Sequence, residues 1–195
     1  MNQTIDYYNK NSEKFYKNTV HIDLSEMYPK FLRHIPDNGT ILDLGCGSGR
    51  DSLYFLEKGY IVTSVDASEE MVRLSSELTG QKTQYLRMQD IEFKNEFNGI
   101  WACASLLHID KKLTESVFNI LCNALRDDGV LYASYQYGKG ISILEDRYYN
   151  NYDERSFAEV IENVNNLKIL TYWITKDLRP DRIDEKWLNV ILKKI

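Results

Sequence analysis

Thr40-Ile41-Leu42-Asp43-Leu44-Gly45-Cys46-Gly47-Ser48-Gly49-Arg50 is the stretch on which the reading of this chain turns. A short apolar run stops in three glycines separated by single residues. GRDSLYFLEKG then brings Leu53 and Leu56 back at helical spacing, with Gly59 placed to end the helix. That pattern is strand, tight turn, helix. Glycine lets the backbone come close to a ligand, and the start of a helix offers it amide donors. In an open α/β sheet, ligands bind beyond the carboxyl ends of the strands where strand order reverses, so this turn is the first place to look for a site.

Downstream, the same alternation repeats. YIVTSVDAS reads as a second strand. It is followed by Ser68 as helix cap, by Glu69 and Glu70 in the first turn, and by Met71, Leu74 and Leu78 on one face before Gly80. A third strand is expected over roughly residues 84–89, a fourth in GIWACASLL and a fifth in VLYASYQY, with an apolar helical stripe from Leu113 to Ala124 between the last two. Residues 148–152 read as a polar aromatic loop and 153–165 as a helix. LKILTYWIT and KWLNVILKK are joined by a short charged loop and are expected to pair antiparallel. Upstream, two helical segments are expected, near residues 5–17 and 25–35. The fold class is therefore α/β: a Rossmann-like, seven-stranded, mostly parallel sheet with a C-terminal antiparallel pair and helices on both faces. It is expected as one domain over residues 1–195, with an N-terminal helical cap (1–39) on a core (40–195).

The composition agrees with that class and removes others. The chain has 195 residues, 43% of them hydrophobic, and 24 basic against 29 acidic side chains give a net charge of −5. No apolar run is long enough to cross a bilayer. A negative chain is a poor coat for nucleic acid or anionic membrane, although the last 28 residues carry 7 basic against 4 acidic side chains. Cys46, Cys103 and Cys122 are odd in number and widely spaced, which fits reduced thiols better than a disulfide or zinc framework, so a cytoplasmic location and no metal are expected.

Asp66 lies 21 residues after Gly45, at the end of the second expected strand. A carboxylate there can accept both hydroxyls of a ribose, which points to a nucleoside-containing cofactor. The dinucleotide fingerprint needs its third glycine where this chain has Arg50, which disfavours nicotinamide and flavin dinucleotides.

With DLGCGSG at residues 43–49, Asp66, Asp90 and LLHI at 106–109, the chain resembles the class I, Rossmann-like S-adenosylmethionine-dependent methyltransferases. The stretch from Ile41 to Asp66 is especially similar to their small-molecule, tellurite-resistance-like branch. The resemblance implies S-adenosyl-L-methionine as cofactor and S-adenosyl-L-homocysteine as product. It implies Asp43, Gly45, Cys46 and Gly47 along the methionine and adenosyl portions, Asp66 on the ribose, Ala67 and Met71 against the adenine, and Asp90 and Ile91 at the adenine edge. Tyr8 and Tyr16 would belong to a tyrosine-bearing cap helix, whose alternative is ordinary packing of an amphipathic helix.

The expected reaction is in-line displacement at a sulfonium methyl, which rests on positioning more than on acid/base strength. His108, just past the fourth strand, is the candidate base or substrate orienter, against the alternative of a locally bonded, solvent-facing ring. Tyr137, Arg147, Tyr148 and Tyr149 are candidates for the acceptor site, because tyrosine offers contact area with a polar tip and arginine can fork onto an anion. Arg179 and Arg182 are read as a solvated charged turn. The expected partner is a small-molecule acceptor, with no membrane, nucleic acid disfavoured and the oligomeric state open. The alternatives are an RNA or protein methyltransferase and a non-catalytic cofactor-binding module.

Overall fold

The computed structural model describes residues 2–179 and 182–195. Five strands feed a parallel sheet in turn: β1 (Thr40–Leu44), β2 (Ile61–Asp66), β3 (Gln84–Tyr85), β4 (Phe97–Ala102) and β5 (Leu125–Gln136). A two-stranded hairpin, β6 (Gly140–Leu144) and β7 (Arg147–Asn151), precedes the long strands β8 (Leu167–Lys176) and β9 (Lys186–Lys194). The main sheet has seven strands in the order β3-β2-β1-β4-β5-β9-β8, with β9 antiparallel to both of its neighbours. The order reverses between β1 and β4, which puts the crevice at the glycine turn. The helices are α1 (Asn2–Thr19), α2 (Tyr28–Leu32), α3 (Arg50–Glu57), α4 (Glu69–Thr79), α5 (Thr114–Ala124) and α6 (Glu154–Ile161).

Alternation along β1 assigns its two faces. Leu42 and Leu44 join Ile100, Leu121, Phe157 and Leu188 in one buried cluster. Ile41 joins Phe31, Phe55, Trp101 and Tyr132 in the other. Trp101 is fully buried and stacks on Tyr132 with ring centroids 3.9 Å apart, and emptying such a site typically costs about 3–5 kcal/mol. Asp43 shares the face of Ile41, so the pleat turns its carboxylate toward α3, where it accepts from Ser52 Oγ at 2.6 Å.

Several expected elements differ. Residues 148–152 are not a loop, since β7 pairs with β6 through a two-residue turn at Glu145 and Asp146, both left-handed (φ 49° and 62°). The usual marker of that turn is Asn-Gly or Asp-Gly, and the acidic pair hides it. β3 stops at Tyr85, and a 3-10 turn over Met88–Asp90 takes the rest of the expected strand. The second N-terminal helix is only Tyr28–Leu32, and α1 is broken at Asn11, where φ and ψ are −115° and 17°. Asp127, Asp128 and Gly129 lie inside β5 as an irregularity in its pairing with β4.

Candidate functional site

Beyond the carboxyl ends of β1, β2 and β4 lie two cavities that share a neck. Both are lined by Gly45 and Ala104. The neck depends on glycine: Gly45 has φ 68°, and a Cβ there would stand 2.6 Å from Ser105 Cβ and 3.0 Å from Met88 Cε. The turn is tied to the second strand by the N–H groups of Gly45 and Cys46, which both donate to the Val65 carbonyl.

The smaller cavity, about 100 Å³, has Asp66 and Ala67 on one side, Leu86 and Gln89 on another, and Tyr8 of α1 as part of its roof. Asp66 accepts one backbone N–H on each oxygen, Ser68 on Oδ1 and Gly47 on Oδ2, both at 2.9 Å. Burial raises its pKa, while the N–H groups of Ser68, Gly47 and Ala67 oppose that rise by favouring the carboxylate. Each oxygen keeps lone-pair capacity for a further donor. Gln89 Oε1 and Ser105 Oγ line the same cavity and are buried without a hydrogen-bond partner among the described residues, the state expected of groups that await a ligand.

The larger cavity, about 450 Å³, runs from Asp43 and the glycine turn to the ends of β5, β8 and β9, and is walled by Phe15 and the segment after α1. Asp43 is 2% exposed, and burial together with the nearby Asp51 charge pushes its pKa up to about 8. Asp51 is a structural acid. It accepts a fork from Arg50, the Tyr28 hydroxyl at 2.7 Å and the Trp101 indole N–H at 2.8 Å. Burial pushes the Cys103 thiol up to about 12, with the Asp51 charge acting in the same direction.

His108 joins three parts of the chain. Its Nδ1 lies 2.6 Å from the Tyr148 carbonyl and its Nε2 lies 2.9 Å from the Tyr8 hydroxyl. A carbonyl only accepts, so Nδ1 carries the proton and Nε2 accepts from Tyr8. Burial pushes the His108 pKa down to about 4, which keeps the ring neutral. Its basic nitrogen is thus already engaged by a phenol.

The other sequence-selected residues divide between the two cavities and their surroundings. Tyr8, Gly45, Asp66, Ala67 and His108 line the smaller cavity. Asp43, Cys46, Gly47 and Tyr149 line the larger. Met71 (1% exposed) and Ile91 (5%) are core residues, and Asp90 faces solvent because the 3-10 turn gives the wall to residues 86–89. Tyr16 is partly buried outside both linings. Tyr137 is exposed and donates to Glu154. Arg147 is buried under the ring of Tyr7, 4.3 Å from its centroid, and pairs with Glu145 at 2.8 Å. Tyr148 donates to Asn150 and supplies the carbonyl to His108, so its contribution is main-chain. Sequence reasoning missed Gln89, Ser105, Cys103 and Asn189, and it placed Arg179 and Arg182 in solvent although both line the larger cavity.

The sequence profile described as "Methyltransferase domain" matches residues 41–129. That match covers a little under half of the chain. The matched stretch takes in the glycine turn, Asp66, the smaller cavity's far wall and His108. YqeM of Bacillus subtilis (strain 168), whose name places it among the methyltransferases, is 30% identical over 104 residues, 50% of this chain and 42% of that protein. The chain thus matches less than half the length of that relative. Among solved structures, the 1,6-didemethyltoxoflavin-N1-methyltransferase of Burkholderia thailandensis, holding 1,6-didemethyltoxoflavin and S-adenosylhomocysteine, superposes with a TM-score of 0.77 at 20% identity, over 97% of this chain and 84% of that one. The [4+2]-cyclase SpnF reaches the same TM-score at 13% identity, over 97% and 94%. At those identities the likeness is one of fold, and the cyclase shows that this fold also carries other chemistry.

Proposed function

We propose that the chain is an S-adenosylmethionine-dependent methyltransferase that transfers a methyl group by in-line displacement to a small-molecule acceptor. The observation that carries the reading is the pair of cavities joined at Gly45 and Ala104: one has a ribose-competent carboxylate and two orphaned polar atoms, the other has room for an acceptor. The Burkholderia neighbour, which holds 1,6-didemethyltoxoflavin beside S-adenosylhomocysteine, lends support. The GRDSLYFLEKGY stretch supports placement near the tellurite-resistance-like branch, and three free thiols support a cytoplasmic location. No helix among the described residues is long and apolar enough to cross a membrane.

Asp66 would hold the ribose hydroxyls, Gln89 and Ser105 the adenine side, and Asp43 with the glycine turn the methionine end. When bound, S-adenosylmethionine supplies an electrophilic methyl on a sulfonium. The chain's residues then position and exclude water: Tyr8 and Phe15 of α1 cover the neck, and neutral His108 fixes the Tyr8 hydroxyl through Nε2. His108 acts in this scheme as a positioning residue, with Tyr8 as the group nearest the ligand.

The test is calorimetric titration with S-adenosylmethionine, S-adenosylhomocysteine and NAD in parallel, repeated on Asp66→Ala. Micromolar binding of the first two, weakened about 100-fold or more in the variant, is expected from loss of a bidentate charged acceptor. Binding of NAD alone, or of none of the three, refutes the reading.

A further inference from the structure

The far wall of the larger cavity is unused by the reading above. Past β8 the chain turns at Asp177, whose side chain is 4% exposed. Its carboxylate accepts from the Arg179 backbone N–H at 2.9 Å, from Arg179 Nε at 2.9 Å, from Arg179 Nη2, and from the Trp187 indole N–H at 2.9 Å. The fork takes Nε and Nη2, and Nη1 has no part in it. Arg179 is thereby fixed in place while it lines the cavity, with its side chain only 21% exposed. Arg182 lines the same wall, 19% exposed, with Nη1 3.7 Å from Glu185. Tyr149 lines the same cavity, with Arg147 5.5 Å from its ring centroid; burial pushes its phenol up in pKa, and the guanidinium groups of Arg147, Arg182 and Arg179 pull the other way.

Charge on a solvated turn would leave these arginines in water. Here both are largely desolvated, and the buried carboxylate of Asp177 is spent on orienting the first of them. Arg50 makes the same fork to Asp51 deeper in the cavity but also spends its Nη1 on the Thr19 carbonyl, so all three of its guanidinium nitrogens are engaged within the chain. A guanidinium held at a cavity wall gains most from a second, external oxyanion, because such hydrogen bonds are charge-assisted and the site is shielded from water.

Resting on the methyltransferase reading, we propose that this wall anchors an oxyanion on the methyl acceptor. The acceptor class is a small organic anion bearing a carboxylate or a phosphate ester, gripped by Arg179 and Arg182 with the Tyr149 phenol as a third donor, and presenting its nucleophilic atom at the Gly45 and Ala104 neck.

The experiment measures S-adenosylhomocysteine formation with a panel of aromatic and aliphatic amines, thiols and phenols, each supplied as carboxylate, phosphate ester and neutral carboxamide. The anionic form is expected to have kcat/KM at least tenfold above its carboxamide, and the preferred anionic form identifies which oxyanion is read. Arg182→Gln is expected to raise KM for the anionic acceptor about tenfold, leave KM for the carboxamide alone, and leave S-adenosylhomocysteine affinity unchanged. Arg179→Gln uncovers Asp177 and risks the loop, so Arg179→Lys, which keeps the charge and loses the fork, is the companion variant and should show the same KM-specific loss. Equal use of anionic and neutral forms, a preference for the carboxamide, or a KM unmoved in both variants overturns the proposal. So does absence of turnover with every member while S-adenosylhomocysteine still binds. Failure of S-adenosylhomocysteine to bind the unaltered protein instead removes the methyltransferase reading itself.

Discussion

The two cavities are built in opposite ways. The smaller is made by short segments following β1, β2, β3 and β4 beneath α1, and its shape is set largely by the backbone: a left-handed Gly45, two N–H groups on Asp66, a 3-10 turn. The larger shares the glycine turn and is flanked by the segment after α1, but its far wall is made by side chains from β5, β7, β8, β9 and the loop between the last two. A backbone-built pocket tolerates little and recognises one shape, whereas a pocket of side chains on strand ends can be refitted one residue at a time. On the proposed reading, the cofactor side is thus the fixed half and the acceptor side the adjustable half.

The contrast breaks most visibly at Gly45. Gly45→Ala forces a Cβ against Ser105 at 2.6 Å in a left-handed backbone, and S-adenosylhomocysteine affinity measured by calorimetry is expected to fall at least about 100-fold. An affinity within about threefold of the unaltered protein would mean that the turn yields and the smaller cavity is not the fixed half.

Asp43 sharpens the comparison, because it sits where the halves meet. Its raised pKa means that the folded protein holds a proton the unfolded chain has released once pH exceeds about 4. Stability of the ligand-free protein is therefore expected to fall as pH rises from about 4 to about 8 and to level off above that. A ligand ammonium beside Asp43 needs the carboxylate, so S-adenosylmethionine binding should release a proton below pH 8 and tighten with rising pH, by at most about tenfold per unit. Calorimetry in buffers of different ionisation enthalpy reads that proton directly, and binding without proton release at pH 7 would place the ammonium elsewhere.

The smallest effect concerns His108. With its pKa near 4 and its Nε2 engaged by Tyr8, the rate is expected to show no inflection near pH 6.5, and His108→Asn should lower kcat by only about tenfold while leaving the profile between pH 5.5 and 7.5 unchanged in form. An inflection near 6.5 that disappears in the variant would make His108 a general base.

What the sequence discloses follows the same division. The glycine turn, Asp66 and the alternating elements are legible because spacing along the chain is spacing in the structure, and the antiparallel pair of β8 and β9 is legible from two adjacent apolar runs. Asp90 was the natural acid to choose after β3, yet a single 3-10 turn rotates it into solvent and puts Gln89 in the wall, a difference no periodicity reports. Arg147 and Arg179 exchange apparent roles for a similar reason. Arg147 follows a hidden turn at Glu145 and Asp146 and is buried against Tyr7, whereas Arg179 is recruited to the cavity by a carboxylate two residues away and an indole ten residues on from that carboxylate.

The roof of the smaller cavity is fastened across the whole length of the chain. Tyr8 meets His108, Thr4 Oγ1 accepts from the Tyr148 N–H, and Tyr7 donates to Glu145, which also pairs with Arg147. Synthesis delivers α1 more than a hundred residues before β7, so a nascent chain that has emerged only through β5 owns the glycine turn, Asp66 and the ties of α1 to Ser68, Arg73 and His108, but not those to Glu145 and Tyr148. The helix can therefore settle on the core early, but the roof is fully tied down only when the ribosome has released the hairpin.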